Sequence, residues 1–224
     1  MNAVTNIPRA LFTRFSSNKG LRALIEAGET KTFPNKTTIF AAGANAKHLC
    51  IVIEGSVSVL FPVTEDQVIT HDYLFAGDFV GETGFFKAES ERIYPSTIKT
   101  RRRTTVVLLT YEQVKQVVQE HPEALLAISE QMAVRQLKAT QRLRENILLD
   151  IQGQIYQVLC ELAGHPDAVS HPRGTQVSIT RIELCTFIGC SREMAGKALK
   201  ALQQEGQIIL GNQKNLVLVG VKMR

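Results

Sequence analysis

Arg192, Glu193, Lys197 and Lys200 fall on one face of a segment in which Met194, Ala195, Ala198, Leu199 and Leu202 recur at helical spacing on another. A helix built this way packs by one side and holds out arginine, glutamate and lysine on the other. Those side chains suit the DNA major groove. Arginine donates two hydrogen bonds to a guanine edge, glutamate accepts from cytosine, and lysine neutralises phosphate. An ordinary surface helix with solvated charges has the same periodicity, so the neighbouring elements must decide between the two.

The neighbours favour DNA. Upstream, Thr180 with Glu183 three residues on forms a T-x-x-E capping box that starts a first short helix. Gly189 supplies a tight corner, and Ser191 N-caps the second helix by accepting from its orphan amides. Downstream, 207–210 and 216–219 around 211–215 read as a small hairpin. A helix over 151–163, opening after Asp150, and a loop over 164–176 precede the pair. Helix, two-helix reader and hairpin together describe a winged helix.

The N-terminal half follows another pattern. From about Lys31 to Tyr111 short β-rich runs (37–41, 49–54, 56–61, 68–75 and 97–109) alternate with turn residues such as Gly43, Gly55 and Gly77. Such runs predict a β-sandwich or β-roll. A helical tract then extends from Tyr111 to about Asn146, with Pro122 suited to a first helical position. Leu125, Ser129, Met132, Gln136, Ala139, Leu143 and Asn146 follow 4-3 spacing, a half-apolar seam that suits a parallel dimer contact. Packing on the chain's own β-domain accounts for the same pattern. The expected divisions are 1–110 for the β-domain, 111–149 for the helices and hinge, and 150–224 for the winged helix.

Length and composition are compatible with this. The 224 residues are 44% hydrophobic and 21% charged, enough for one large or two modest cores. The net charge of +5 permits nucleic-acid binding without requiring it. No run approaches the ~20 apolar residues of a membrane span, and the first twenty residues show no apolar signal core, which places the expected protein in the cytoplasm. Cys50, Cys160, Cys185 and Cys190 lie at no C-x-x-C spacing and read as small buried residues. The dispersed histidines, His165 and His171 among them, give no expected metal site.

The segments IEGSVSVL (53–60), GDFVGETGFF (77–86), SHPRGTQ (170–176) and ITRIEL…IGCSREMAGKALKAL (179–202) resemble the cyclic-AMP receptor protein (CRP) branch of the CRP/FNR superfamily of bacterial transcription regulators. The likeness runs from about Phe33 to Val219. It implies an α+β fold: an N-terminal β-roll of the cyclic-nucleotide-binding type, a long dimerisation helix, and a C-terminal winged helix-turn-helix. It further implies a homodimer on a palindromic operator in double-stranded DNA. Arg192, Glu193 and Lys197 match the base-reading positions, and Thr180, Arg181, Ser191 and Lys200 match phosphate contacts. Lys197 departs from the family's arginine, which loses bidentate guanine geometry. FNR-type sensing is not expected, because no N-terminal cysteine cluster is present to hold an iron–sulfur centre.

For the effector the resemblance implies Gly81 and a ribose-binding Glu82, a phosphate-binding Arg92, a hydroxyl recovered at Ser96, and an adenine contact at Thr140. The family follows its arginine with Ser-Ala. Here the chain reads Arg92-Ile93-Tyr94-Pro95-Ser96, and the stretch to Tyr111 is two residues longer. Ala139-Thr140 replaces an adjacent Thr-Ser pair. The favoured effector is cAMP. Cyclic di-GMP is the alternative, since Lys99, Arg101 and Arg103 alternate along a predicted strand with Arg102 opposite, and the Xanthomonas-type relative also alters the residues after its arginine. An effector-independent regulator is a further alternative. The loop 167–174 matches the surface through which CRP touches RNA polymerase. Against a DNA regulator stand a cyclic-nucleotide-binding interaction module without a DNA role and an enzyme. The first is weakened by the eight Lys+Arg against five Asp+Glu in 151–224. The second has no G-x-x-x-x-G-K-[ST], H-E-x-x-H or G-x-S-x-G to support it.

Overall fold

The structure is a computed structural model that describes residues 18–64, 67–211 and 215–221. The N-terminal stretch read for a signal core lies outside the described residues, apart from its last three. The turn residues 212–214 of the C-terminal hairpin lie outside them too.

Helix α1 (Lys19–Ala27) is N-capped by Asn18, whose side chain accepts from the Leu21 amide at 3.0 Å, and it buries Leu21, Leu24 and Ile25. Eight strands follow: β1 (Glu29–Phe33), β2 (Thr38–Phe40), β3 (His48–Glu54), β4 (Ser56–Pro62), β5 (Val68–Phe75), β6 (Phe79–Val80), β7 (Thr97–Thr100) and β8 (Thr104–Thr110). They form two antiparallel four-stranded sheets, ordered β1-β8-β3-β6 and β2-β7-β4-β5. Strand β3 is buried at every residue from Leu49 to Ile53, so it reads as a continuous apolar run and not as an alternation. The expected β-roll is what this chain builds.

One predicted strand is two. The run 97–109 breaks at Arg101–Arg103, where the chain leaves one sheet for the other. Thr104 ties the corner, its buried hydroxyl donating to the carbonyls of Ser56 at 3.1 Å and Arg102 at 2.9 Å. Arg101 lies over the Tyr73 ring, 3.5 Å from its centroid. Lys99, Arg101 and Arg103 therefore do not share a strand face, and the expected positive strand is absent.

The helical tract also divides. Thr110 and Gln113 make a capping box that opens α2, counting here only helices of more than one turn, over Tyr111–Glu120. Pro122, lacking an amide to continue that ladder, separates it from α3 (Glu123–Leu148). The predicted dimer seam is partly spent within the subunit. Met132 packs on the β-domain core, and Leu125 and Ala139 are half-buried. The strongly exposed apolar residues of α3 are Leu126, Leu137, Leu143, Ile147 and Leu148. Of these only Leu143 belongs to the predicted seam.

The chain divides into two compact units, and the cut falls inside α3 between Leu137 and Lys138. In the second unit Asp150 accepts from the Gly153 amide at 2.8 Å and starts α4 (Ile151–Ala163), which buries Ile155, Leu159 and Leu162. The expected loop 164–176 is in fact a second hairpin. Strand β9 (Val169–His171) pairs with β10 (Gly174–Ser178), and β10 with β12 (Asn215–Val219), which also pairs with β11 (Ile208–Leu210). The wing is thus a four-stranded sheet, β11-β12-β10-β9, packed against α4 and α6 (Arg192–Gln204), while α5 (Arg181–Ile188) packs on the same two helices. Among the described residues no helix is long and apolar enough to cross a membrane.

Candidate nucleic-acid interface and effector pocket

Both helix starts at the reader are capped as the sequence demands. The Thr180 hydroxyl accepts from the Glu183 amide at 3.1 Å, and the Glu183 carboxylate takes the Thr180 amide at 2.7 Å. Helix α5 ends on Gly189 at φ +74°, a left-handed corner that a side chain would strain. Ser191 then accepts from the Met194 amide at 3.2 Å, fixing the first turn of α6.

Helix α6 buries Ala195, Ala198, Leu199 and Leu202. Met194, expected on the same stripe, is exposed at 46%, because it lies in the first turn at the edge of the packed face. Arg192, Glu193, Lys197 and Lys200 are exposed, as are Arg181 and Ser191, while Thr180 is half-buried. Glu193 and Lys197 meet at 2.7 Å, each 77% exposed. An ion pair so open is worth about 0–1 kcal/mol, so exchanging it for bases or phosphates costs little. The face expected to read bases is formed and accessible.

The last turns of α3 are tied to this unit. Arg142 donates to Glu161 of α4 at 2.8 Å and lies over the Phe187 ring of α5 at 5.9 Å. Gln157 of α4 donates to Glu145 at 3.2 Å. The end of the long helix therefore packs with α4 and α5.

In the first unit the backbone carries Gly81 at φ +84°, where a Cβ would lie 2.6 Å from the His48 carbonyl oxygen, so glycine is required. Tyr111 donates its hydroxyl to the Gly81 carbonyl at 2.7 Å, and Arg92 lies over the same tyrosine ring at 5.1 Å. Tyr111 thereby draws Gly81 and Arg92 together beside Glu82. Burial pushes the Tyr111 hydroxyl far above its ordinary range, so it serves as a donor throughout the neutral range. Arg92 also donates from Nε to the Lys87 carbonyl at 3.2 Å.

Glu82 is buried and paired. Its carboxylate accepts from Arg135 of α3 at 2.8 Å. Arg135 also donates to the carbonyl of Phe79 and to Gln131, and Gln131 closes the network on the Phe79 amide at 2.9 Å and the Gly77 carbonyl at 2.6 Å. Gln131 and Arg135 were not among the predicted site residues. A signal existed: Ala124, Ile128, Gln131 and Arg135 form one helical stripe that changes from apolar to polar where it passes Glu82.

Tyr94 was also missed. Two residues after Arg92, its ring turns inward and is buried. It stacks on Phe40 with centroids 4.2 Å apart, and its hydroxyl takes the amides of His48 at 3.1 Å and Lys47 at 3.3 Å. Ser96 is buried just ahead of β7, and Pro95 is exposed. Thr140 lies exposed on α3 in the second unit. Among the described residues no group of three or more histidine, cysteine or acidic side chains is placed to hold a metal.

Known proteins resemble both units. Residues 30–121 match the cyclic nucleotide-binding domain family. The chain is 35% identical over 190 residues to the cAMP-activated global transcriptional regulator CRP of Salmonella typhimurium, spanning 85% of this chain and 89% of that one. It is 32% identical over 223 residues to the cAMP-activated global transcriptional regulator Vfr of Pseudomonas aeruginosa, spanning 99% and 100%. Among solved structures, the c-di-GMP responsive global regulator CLP of Xanthomonas campestris superposes with a TM-score of 0.81 at 33% identity, over 90% of this chain and 98% of that one. These relatives are transcriptional regulators, not enzymes. With this identity across most of both chains, and a capped reader helix beside a wing, the protein belongs to the CRP family of DNA-binding transcriptional regulators.

Proposed function

We propose that the protein is a homodimeric regulator that reads a palindromic operator through Arg192, Glu193 and Lys197. Thr180, Arg181, Ser191 and Lys200 hold phosphates, and cAMP bound beside Gly81, Glu82 and Arg92 controls it. The observation that carries the DNA assignment is the exposed Arg192–Glu193–Lys197 face at the Ser191-capped start of α6. The homodimer is supported by Leu126, Leu137 and Leu148, which recur at three-turn spacing on α3 and are each more than 70% exposed. Ser170 and Gly174, in the β9–β10 hairpin, match the family's RNA polymerase surface, which supports reading the protein as an activator acting in the cytoplasm.

Cyclic AMP is preferred on the shape of the β-domain. A ligand with more phosphate charge called for a row of cations, and the break at Arg101–Arg103 removes that row. A cyclic phosphate would engage Arg92, Ser96 would supply a hydroxyl beside it, and Glu82 would accept from a ribose hydroxyl once it gives up Arg135. The second reading is cyclic di-GMP, favoured by the likeness to the Xanthomonas regulator.

Calorimetry of the purified protein with each nucleotide, paired with a gel shift over a salt series, tests both halves. The expected result is a binding isotherm with cAMP, tighter DNA binding in its presence, and affinity that falls steeply with salt. An isotherm with cyclic di-GMP alone reverses the effector assignment. Binding of neither near millimolar ligand makes the regulator effector-independent.

A further inference from the structure

The reader carries a chemical feature that base recognition does not use. Cys185 lies in the last turn of α5, and Cys190 follows the left-handed Gly189. The amides of Gly189 and Cys190 both donate to the Cys185 carbonyl, at 2.8 and 3.3 Å. The longer of these, spanning five residues, marks a Schellman-type helix ending, which places the side chains at its two ends against each other. In this chain both are thiols, and the Cys185 thiol lies near enough to help raise the Cys190 pKa. Both are half-buried, whereas Cys50 is sealed in the β-domain core. Cys190 directly precedes Ser191, the cap that sets the first turn of α6 and the position of Arg192 and Glu193.

We propose that Cys185 and Cys190 are a redox-sensitive dithiol, closed to a disulfide by a low-molecular-weight disulfide such as oxidised glutathione, and that closure weakens DNA binding. One cysteine thiolate attacks the glutathione disulfide, forming a mixed disulfide and releasing one reduced glutathione. The neighbouring thiol loses its proton and displaces the second glutathione. The products are one Cys185–Cys190 bond and two reduced glutathione molecules, so the two electrons lost by the protein are gained by the oxidant.

A disulfide requires the sulfurs about 2.05 Å apart with a dihedral near 90°. The two thiols are free and so farther apart than that, and closure must draw Cys190 toward α5 and pull on the adjoining Ser191 cap. Burial holds the Cys190 thiol above its usual range, which keeps its thiolate scarce at neutral pH. The exchange is accordingly slow near pH 7 and accelerates as pH rises. The effect on DNA rests on α6 being the reader, whereas formation of the bond does not.

The test treats the full-length protein with oxidised glutathione and follows two readouts. Tryptic cleavage after Arg181 and Arg192 leaves both cysteines in one peptide, 182–192, whose mass should fall by two hydrogens and recover with dithiothreitol. Affinity for a palindromic duplex selected by the reduced protein should fall at least about tenfold, the scale of losing one base contact. Cys185→Ser and Cys185→Ala should each abolish the mass change and leave affinity insensitive to the oxidant, while melting like the reduced parent. Glutathione adducts without the internal bond would overturn the dithiol. Closure without an affinity change, or an equal loss in the Cys185 variants, would overturn the switch. Failure of α6 as the reader is distinguishable, because it would show in the reduced protein as specific binding indifferent to Arg192 and Glu193.

Discussion

The two functional regions dispose of their polar groups in opposite ways. On α6 the proposed readers point into solvent, and an ion pair among them, Glu193 with Lys197, is 77% exposed at both ends. In the β-domain three of the recognised residues are already engaged: Glu82 with Arg135, Arg92 with the Lys87 carbonyl and the Tyr111 ring, the Gly81 carbonyl with Tyr111. A surface of the first kind binds whatever presents complementary edges and charge, and pays little to reorganise. A pocket of the second kind exchanges internal bonds for ligand bonds, so its response is a rearrangement. That is the physical basis for treating one as the output and the other as the control.

The largest expected effect breaks the output side. Arg192→Ala with Glu193→Ala removes the two proposed base contacts, at about 1–3 kcal/mol each, so specific binding should fall by roughly 30-fold to 10⁴-fold. The fold should be unchanged, because both side chains are exposed. Anisotropy titrations on specific and random duplexes check this, and unaltered discrimination between them would remove α6 from the reader role.

Next comes the control side. Arg135→Leu leaves Glu82 buried without its cation, and denaturant unfolding should register a loss of about 3 kcal/mol. Pairing it with Glu82→Gln should restore part of that loss. If each single variant is silent, the Glu82–Arg135 pair is not holding the pocket.

A smaller effect sharpens the reader. Lys197→Arg offers a planar fork in place of a point charge, and should raise discrimination at one operator position by about tenfold while leaving stability within ~0.5 kcal/mol. Binding to an operator set varied one base pair at a time would show it. Equal relaxation at every position would mean that residue 197 contacts phosphate alone.

The smallest effect lies with His48. Burial, then the nearby Lys31 and Lys47, lower its pKa below the ordinary value of about 6.5. The unfolded chain therefore takes up a proton that the folded chain refuses. The stability this group contributes is full above about pH 6.5 and is lost as pH falls from there toward the folded pKa. Urea unfolding at pH 7.5 and 5.5 should show a steeper loss for the parent than for His48→Gln.

Legibility tracked locality. Thr180–Glu183, Gly189 and Ser191 were readable because caps and corners are made within four residues of one another. The start of α4 after Asp150 was readable for the same reason. Strand β1 was not, since its polar residues are exposed and only pairing with β8, more than seventy positions away, makes it a strand. The hairpin within 164–176 was missed in the same way, because its partner β12 comes from the end of the chain. The continuous strand expected over 97–109 failed because β-propensity has no term for a change of sheet.

What the sequence determined by itself, then, is the reader helix with its caps and charges, and the succession of a β-rich half, a long helix and a winged helix. These follow from periodicity and short-range hydrogen bonding. Tertiary structure alone decided that Arg135 holds Glu82, that Tyr94 turns onto Phe40, that Tyr111 joins Gly81 to Arg92, and that Cys185 meets Cys190 across the corner. The reason is geometric. Each of these contacts depends on where a side chain from one element arrives against another, and residue spacing does not carry that position.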